Sequence, residues 1–124
     1  MKLRNKDMQY YISEYVKATQ SLSQDINILV LYKIRKNFSR IEDALKPYCS
    51  LLREIVTRNK NAEDMKQDIA ELDEQEVDVD IEKISISDFG DIKTSSAFIN
   101  SIFFMLEDWV LFIYKEDFIW VQKQ

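Results

Sequence analysis

Eight apolar residues, Leu31, Ile34, Phe38, Ile41, Leu45, Tyr48, Leu52 and Ile55, recur at intervals that alternate between three and four. That spacing keeps one narrow apolar stripe on a single side of an α-helix, and a stripe so long must be covered by other helices. It predicts a long helix that cannot stand alone. Pro47 falls inside it. Proline lacks a backbone donor and clashes with the preceding turn, so a kink or break is expected near residues 44–46. Asn59-Lys60-Asn61 ends the helix, and Asn61 is placed to cap a shorter one carrying Met65, Ile69 and Leu72. The brief connector makes the pair an antiparallel hairpin. Met8, Tyr11, Tyr15, Ala18 and Leu22 repeat the same spacing earlier, predicting a helix of about five turns with Asn5 as its N-cap, followed by a connector at Ser23-Gln24-Asp25.

The period then drops to two. Val77, Val79 and Ile81 alternate with Glu76, Asp78, Asp80 and Glu82, and Ile84 and Ile86 continue out of step. This predicts a strand with a bulge near Glu82-Lys83. A lone strand needs a partner. Lys2-Leu3-Arg4 fits, because its two cations would face the acidic ladder. Asp88-Phe89-Gly90-Asp91 reads as a turn, and Thr94, Ser95 or Ser96 caps a helix to about Leu106. Trp109 to Val121 is aromatic and β-branched and is split by Lys115-Glu116-Asp117, which predicts a hairpin, with continuation of the helix as the alternative. The whole is a mostly helical α+β fold: an antiparallel helical hairpin with a long kinked helix, a small antiparallel sheet, and a C-terminal helix or hairpin. The 124 residues form one domain, helical over about 5–76, with strand, helix and aromatic tail over about 77–124.

Composition removes several function classes. The chain has no histidine, one glycine and one cysteine. It therefore offers no imidazole base or ligand and no glycine-rich phosphate loop, and no cofactor is implied. Cys49 lacks a disulfide partner, sits among apolar neighbours, and reads as a small buried hydrophobe in a reducing, cytoplasmic setting. The N-terminal residues lack the apolar core of a signal peptide, and charges interrupt the most apolar stretch, so no membrane is expected. Charge is divided unevenly: residues 1–62 carry a net +6 and residues 63–124 a net −11. Glu63 to Glu82 holds ten carboxylates against Lys66 alone. That balance argues against nucleic acid and for internal complementarity or an acidic binding surface.

Among candidate sites, the ladder Asp78, Asp80 and Glu82, beside Glu76, would offer charge to a partner. Hard cations also favour clustered carboxylates, but a straight strand spreads them over roughly 20 Å. A basic stripe, Lys33, Lys36 and Arg40 with Arg35 beside it, is read first as a solvated face meeting the acidic half. Tyr10, Tyr11, Tyr15, Tyr32 and Tyr48 suit an interface or a core edge equally. Trp109, Phe112 and Trp120 are the candidate apolar anchors, since a small core cannot bury every aromatic of the tail. Asp88-Phe89-Gly90 matches a kinase tripeptide by chance, and Asn37-Phe38-Ser39 is a glycosylation sequon inside a helix seam, without function there.

The runs NILVLYKIRKNFSRIEDALKPYCSLLREI from Asn27 and EQEVDVDIEKISISDFGDI from Glu74 resemble a family of small uncharacterised proteins of tailed phages and prophages from low-GC Gram-positive bacteria. The likeness covers about residues 1–107. Pro47 and the tail after Glu107 depart from it. It implies no active site. It implies a phage or prophage origin and a host-facing or accessory role. By analogy with small acidic phage proteins as a class, and with the acidic half, the aromatic tail and the missing catalytic chemistry, the expectation is a non-enzymatic protein in the bacterial host cytoplasm that binds and inhibits a host protein, such as a defence effector. The alternative is an accessory of phage assembly or replication that forms homo-oligomers through its tail.

Overall fold

A computed structural model describes residues 1–20, 26–58, 61–85, 88, 96–107, 109–114 and 117–122; for Ser96 and from 109 onward it describes backbone only. The order is β1 (Lys2–Arg4), α1 (Asn5–Thr19), α2 (Ile28–Arg58), α3 (Ala62–Asp73), β2 (Glu76–Asp78), β3 (Ile84–Ser85) and α4 (Ser96–Ile102). A 3-10 turn (Phe103–Met105), β4 (Leu106–Glu107), β5 (Trp109–Tyr114) and β6 (Asp117–Gln122) follow. The architecture is α+β and mostly α. The connector 21–25, the turn 89–91 and the caps Thr94 and Ser95 lie outside the described residues.

The seam of α2 is the spine of the core. Ile34, Phe38, Ile41, Leu45, Tyr48 and Ile55 are buried, and Leu31 and Leu52 are half-buried. The helix runs unbroken across Pro47. The expected break does not occur: proline removes one bond of the ladder, Asp43 at that turn is exposed so water can take its carbonyl, and the seam on both sides stays anchored. Cys49, expected inside, is exposed. It lies one position past Tyr48, and 100° of helix rotation carries it off the seam.

The helix α1 packs through stacked rings on α2 and on the 3-10 turn. Tyr15 lies on Phe38 with centroids 4.2 Å apart, and Tyr11 lies on Phe104 at 4.1 Å. Tyr48 is buried and donates to Asp73 Oδ1 at 2.6 Å, joining α2 to the far end of α3 and confirming the antiparallel hairpin. Asn61 caps α3 as expected, accepting from the Glu63 N–H at 2.9 Å. Asn5 is not the cap of α1. Arg4 holds that position, and Asn5 is buried, its Nδ2 donating 2.8 Å to the Leu72 carbonyl, which also accepts from the Gln75 N–H at 3.2 Å at the end of α3.

Lys2-Leu3-Arg4 does pair antiparallel with Glu76–Asp78, with Lys2 opposite Asp78 and Arg4 opposite Glu76. The predicted long strand with a bulge is instead two short ones. β2 ends at Asp78, and just beyond it the Val79 N–H donates to the Met1 carbonyl at 2.8 Å and the Val79 carbonyl accepts from the Met1 ammonium at 3.0 Å. The chain crosses α2 as an irregular strap, 79–83, and then enters a parallel pair, Ile84 opposite Leu106 and Ser85 opposite Glu107. That pair also explains why α4 stops at Ile102 instead of about Leu106: Leu106 must be extended to join β3, and the 3-10 turn makes the change. The tail is a hairpin, β5 antiparallel to β6, with Leu111 opposite Trp120 and Phe112 opposite Ile119.

The strap is held by the buried Asn37 amide. Its Nδ2 donates to the Glu82 carbonyl at 2.9 Å, and its Oδ1 accepts from the Glu82 N–H at 2.9 Å. One side chain thus supplies what a neighbouring strand would. Asn37→Ala strands both backbone groups and is expected to cost about 1–3 kcal/mol in urea unfolding. Arg40→Ala, which removes an ion pair whose Asp80 side is almost fully exposed, is expected to cost under about 1 kcal/mol. Equal losses for the two variants would contradict this ranking. Cys49 in the native protein is expected to react with a thiol reagent about as fast as in urea, and a strongly slowed native reaction would place it inside.

Candidate functional site

The acidic ladder and the basic stripe meet in the fold. Lys36 Nζ lies 3.2 Å from Glu82 Oε2, and Arg40 Nη1 donates to the Asp80 carbonyl at 2.8 Å and stands 3.6 Å from its carboxylate. Asp78 Oδ1 accepts from the Met1 ammonium at 3.0 Å. Each of the three carboxylates chosen from sequence therefore has an internal counter-charge. Asp78 and Asp80 remain largely exposed, at 78% and 91% of the side chain, and open to a partner as well. Among the described residues no group of three or more His, Cys, Asp or Glu side chains is gathered closely enough to hold a metal ion.

Trp109, Phe112 and Trp120 belong to the hairpin, where the backbone places Trp109 opposite Gln122 and Trp120 opposite Leu111. Their side chains lie outside the described part. The tyrosines divide. Tyr11, Tyr15 and Tyr48 serve the core, whereas Tyr10 and Tyr32 are exposed. Tyr32 stands with Ile28 and Leu29 at the start of α2, and these three are 63%, 73% and 68% exposed. Beside them opens a cavity of about 340 Å³, lined in part by Val30, Lys33, Lys36, Glu82 and Asp88. Lys36 also lies 5.5 Å from the Tyr32 ring centroid. Two cations and two carboxylates share this cavity, so its wall has no preferred sign.

A second opening lies between α2 and α3, about 320 Å³ in volume, with Leu51, Ile55 and Leu72 among its walls. No residue of α3 is buried; Met65, Ile69 and Leu72 are only half-covered against α2. Sequence reasoning passed over both the Asn37 clasp and this groove. The signal for Asn37 was present: a carboxamide three residues after Ile34 and four before Ile41 is in phase with the seam. The groove has no such signal, because it depends on how loosely α3 sits.

No family model, no curated protein and no solved structure matches this chain. No helix among the described residues is long and apolar enough to cross a membrane.

Titration follows from the packing. Burial pushes the phenols of Tyr11, Tyr15 and Tyr48 above their ordinary range, and for Tyr48 the hydrogen bond to Asp73 adds to it. Lys6 foremost, and then Arg4, hold the Glu74 carboxyl below its usual value. The signs are opposite. The raised phenols stabilise the fold fully below pH 10, and that stability is lost as pH rises above it; the lowered carboxyl contributes above its unfolded value, and that part is lost as pH falls through its folded pKa. In an alkaline titration, tyrosinate absorbance is expected to show a fraction of phenols ionising only above pH 10, together with loss of helical dichroism. Ionisation of all six tyrosines in one unperturbed step would oppose this.

Proposed function

We propose that this chain is a non-enzymatic protein-binding module, of phage origin, that binds and inhibits a host protein such as a defence effector. The observation that carries the binding reading is the set of exposed apolar side chains that α2 carries near its two ends. Ile28, Leu29 and Tyr32 stand out at the start, and Leu51 and Val56 are 38% and 59% exposed near the end. Clustered apolar groups on a well-formed helix mark a contact surface more often than isolated ones do. The phage origin and the host target rest on the sequence resemblance alone. The acidic ladder serves here as a secondary contact, because its charges are already answered within the fold.

The second reading, a phage assembly or replication accessory that self-associates through its tail, is favoured by the hairpin. Both of its strands are rich in aromatic and β-branched residues, and a two-stranded ribbon covers few of them by itself.

A tagged pull-down from Gram-positive lysate with mass spectrometry separates the readings. The full chain is expected to retain one dominant host protein. Leu29→Asp with Tyr32→Asp is expected to lose it, and so is a chain ending at Asp108 if the tail contributes. Recovery of the bait alone, together with a stable oligomer in sedimentation at high micromolar concentration, would move the assignment to assembly. A strictly monomeric protein under those conditions would remove the assembly reading.

A further inference from the structure

We propose that the groove between α2 and α3 is a docking site for a basic amphipathic helix of a partner protein. The proposal rests on the protein-binding reading and names a surface and a partner chemistry for it. The floor is apolar: Leu51 and Ile55 come from α2, and Leu72 comes from α3. The α3 wall is acidic. Asp64, Asp68 and Glu71 follow one another at intervals of four and three, which places them on one stripe of that helix, and Gln75 extends the stripe beyond its end. Asp68, Glu71 and Gln75 line the groove itself. Lys66, the sole cation of α3, lies two positions from Asp64 and so on the opposite side.

Charge selects the occupant. The ladder carboxylates Asp78, Asp80 and Glu82 are matched by Met1, Arg40 and Lys36. Glu63, Asp64 and Glu71 make no ion pair among the described residues. Three carboxylates without an ion pair among the described residues therefore lie on α3, and one of them, Glu71, lines the groove beside Asp68, with Arg58 as the one cation among the described lining residues. A helix with an apolar stripe and lysines or arginines along one flank meets both features at once, by the helix-in-groove mode. The cavity at the start of α2 makes no such choice, because Lys33 and Lys36 there face Glu82 and Asp88.

The test uses three synthetic peptides of about 15 residues, long enough to form a helix. One carries leucines at i, i+3, i+4 and i+7 with lysines beside them. The second replaces the lysines by glutamates. The third scrambles the first so that no apolar face forms. Each is titrated into the full-length ¹⁵N-labelled protein. The first is expected to shift amides within 51–58 and 64–75 and to bind at least about tenfold more tightly than the others. Leu51→Asp, at an exposed position that leaves the core intact, is expected to weaken it about tenfold. Glu71→Lys is expected to do the same and to flatten the salt dependence. Equal binding of the glutamate or scrambled peptide would overturn the proposal, as would no binding, or affinity unchanged in both variants. Shifts confined to another surface would overturn the groove while leaving the protein-binding reading in place. Failure of the lysate capture with the groove titration intact would do the reverse.

Discussion

Everything on the far side of α2 depends on a single carboxamide. Asn37 is fully buried in a helix otherwise lined with hydrocarbon, and such a group is tolerated only when its hydrogen bonds are made. Here both are made to one backbone unit, Glu82, and Nδ2 also lies 3.4 Å from Met105 Sδ. The amide therefore fixes where the strap crosses the helix. That crossing sets Ile84 opposite Leu106, which in turn ends α4 and delivers the chain to the hairpin. The ion pairs from Lys36 and Arg40 flank the clasp on either side, but they are partly exposed and screened, so they refine its position and do not create it.

The same logic distributes the charge. A basic first half and an acidic second half could have produced a dipolar molecule with two sticky faces. Instead the strap lays Asp80 and Glu82 against α2, while the end of α3 and β2 set Glu74 and Asp78 against Met1, Arg4 and Lys6. Glu63, Asp64 and Glu71, on the sparsely buried α3, are left without an ion pair among the described residues. The candidate surface moves accordingly from a strand to a helix.

Much of this was legible in the residue pattern, and the remainder was not, for identifiable reasons. The α2 seam could be read because eight positions kept one phase. β1 could be paired with β2 because Lys2 and Arg4 match Asp78 and Glu76 in sign and spacing. The hairpin could be read from its aromatic and β-branched run. The strap could not, because alternation reports which faces a segment shows and says nothing about whether a neighbouring strand is long enough to hold it. Cys49 was misjudged because apolar neighbours in sequence are not neighbours on a helix. Asn37 was weighed as a sequon and not as a hydrogen-bonding group inside the seam. The groove was invisible because it is set by the depth at which α3 rests, a tertiary quantity with no periodicity.

The pairing of β1 with β2 also constrains the order of events during synthesis. Leu3 is made long before Val77, yet it is buried only when that partner arrives. Until then α1 and α2 can form and stack, since their contacts are local, while the leading strand keeps an open edge. An open edge on a nascent chain invites pairing with the wrong strand. The two cations that bracket Leu3, Lys2 and Arg4, guard against that by repelling other copies of themselves until residues 76–78 emerge with the opposite sign.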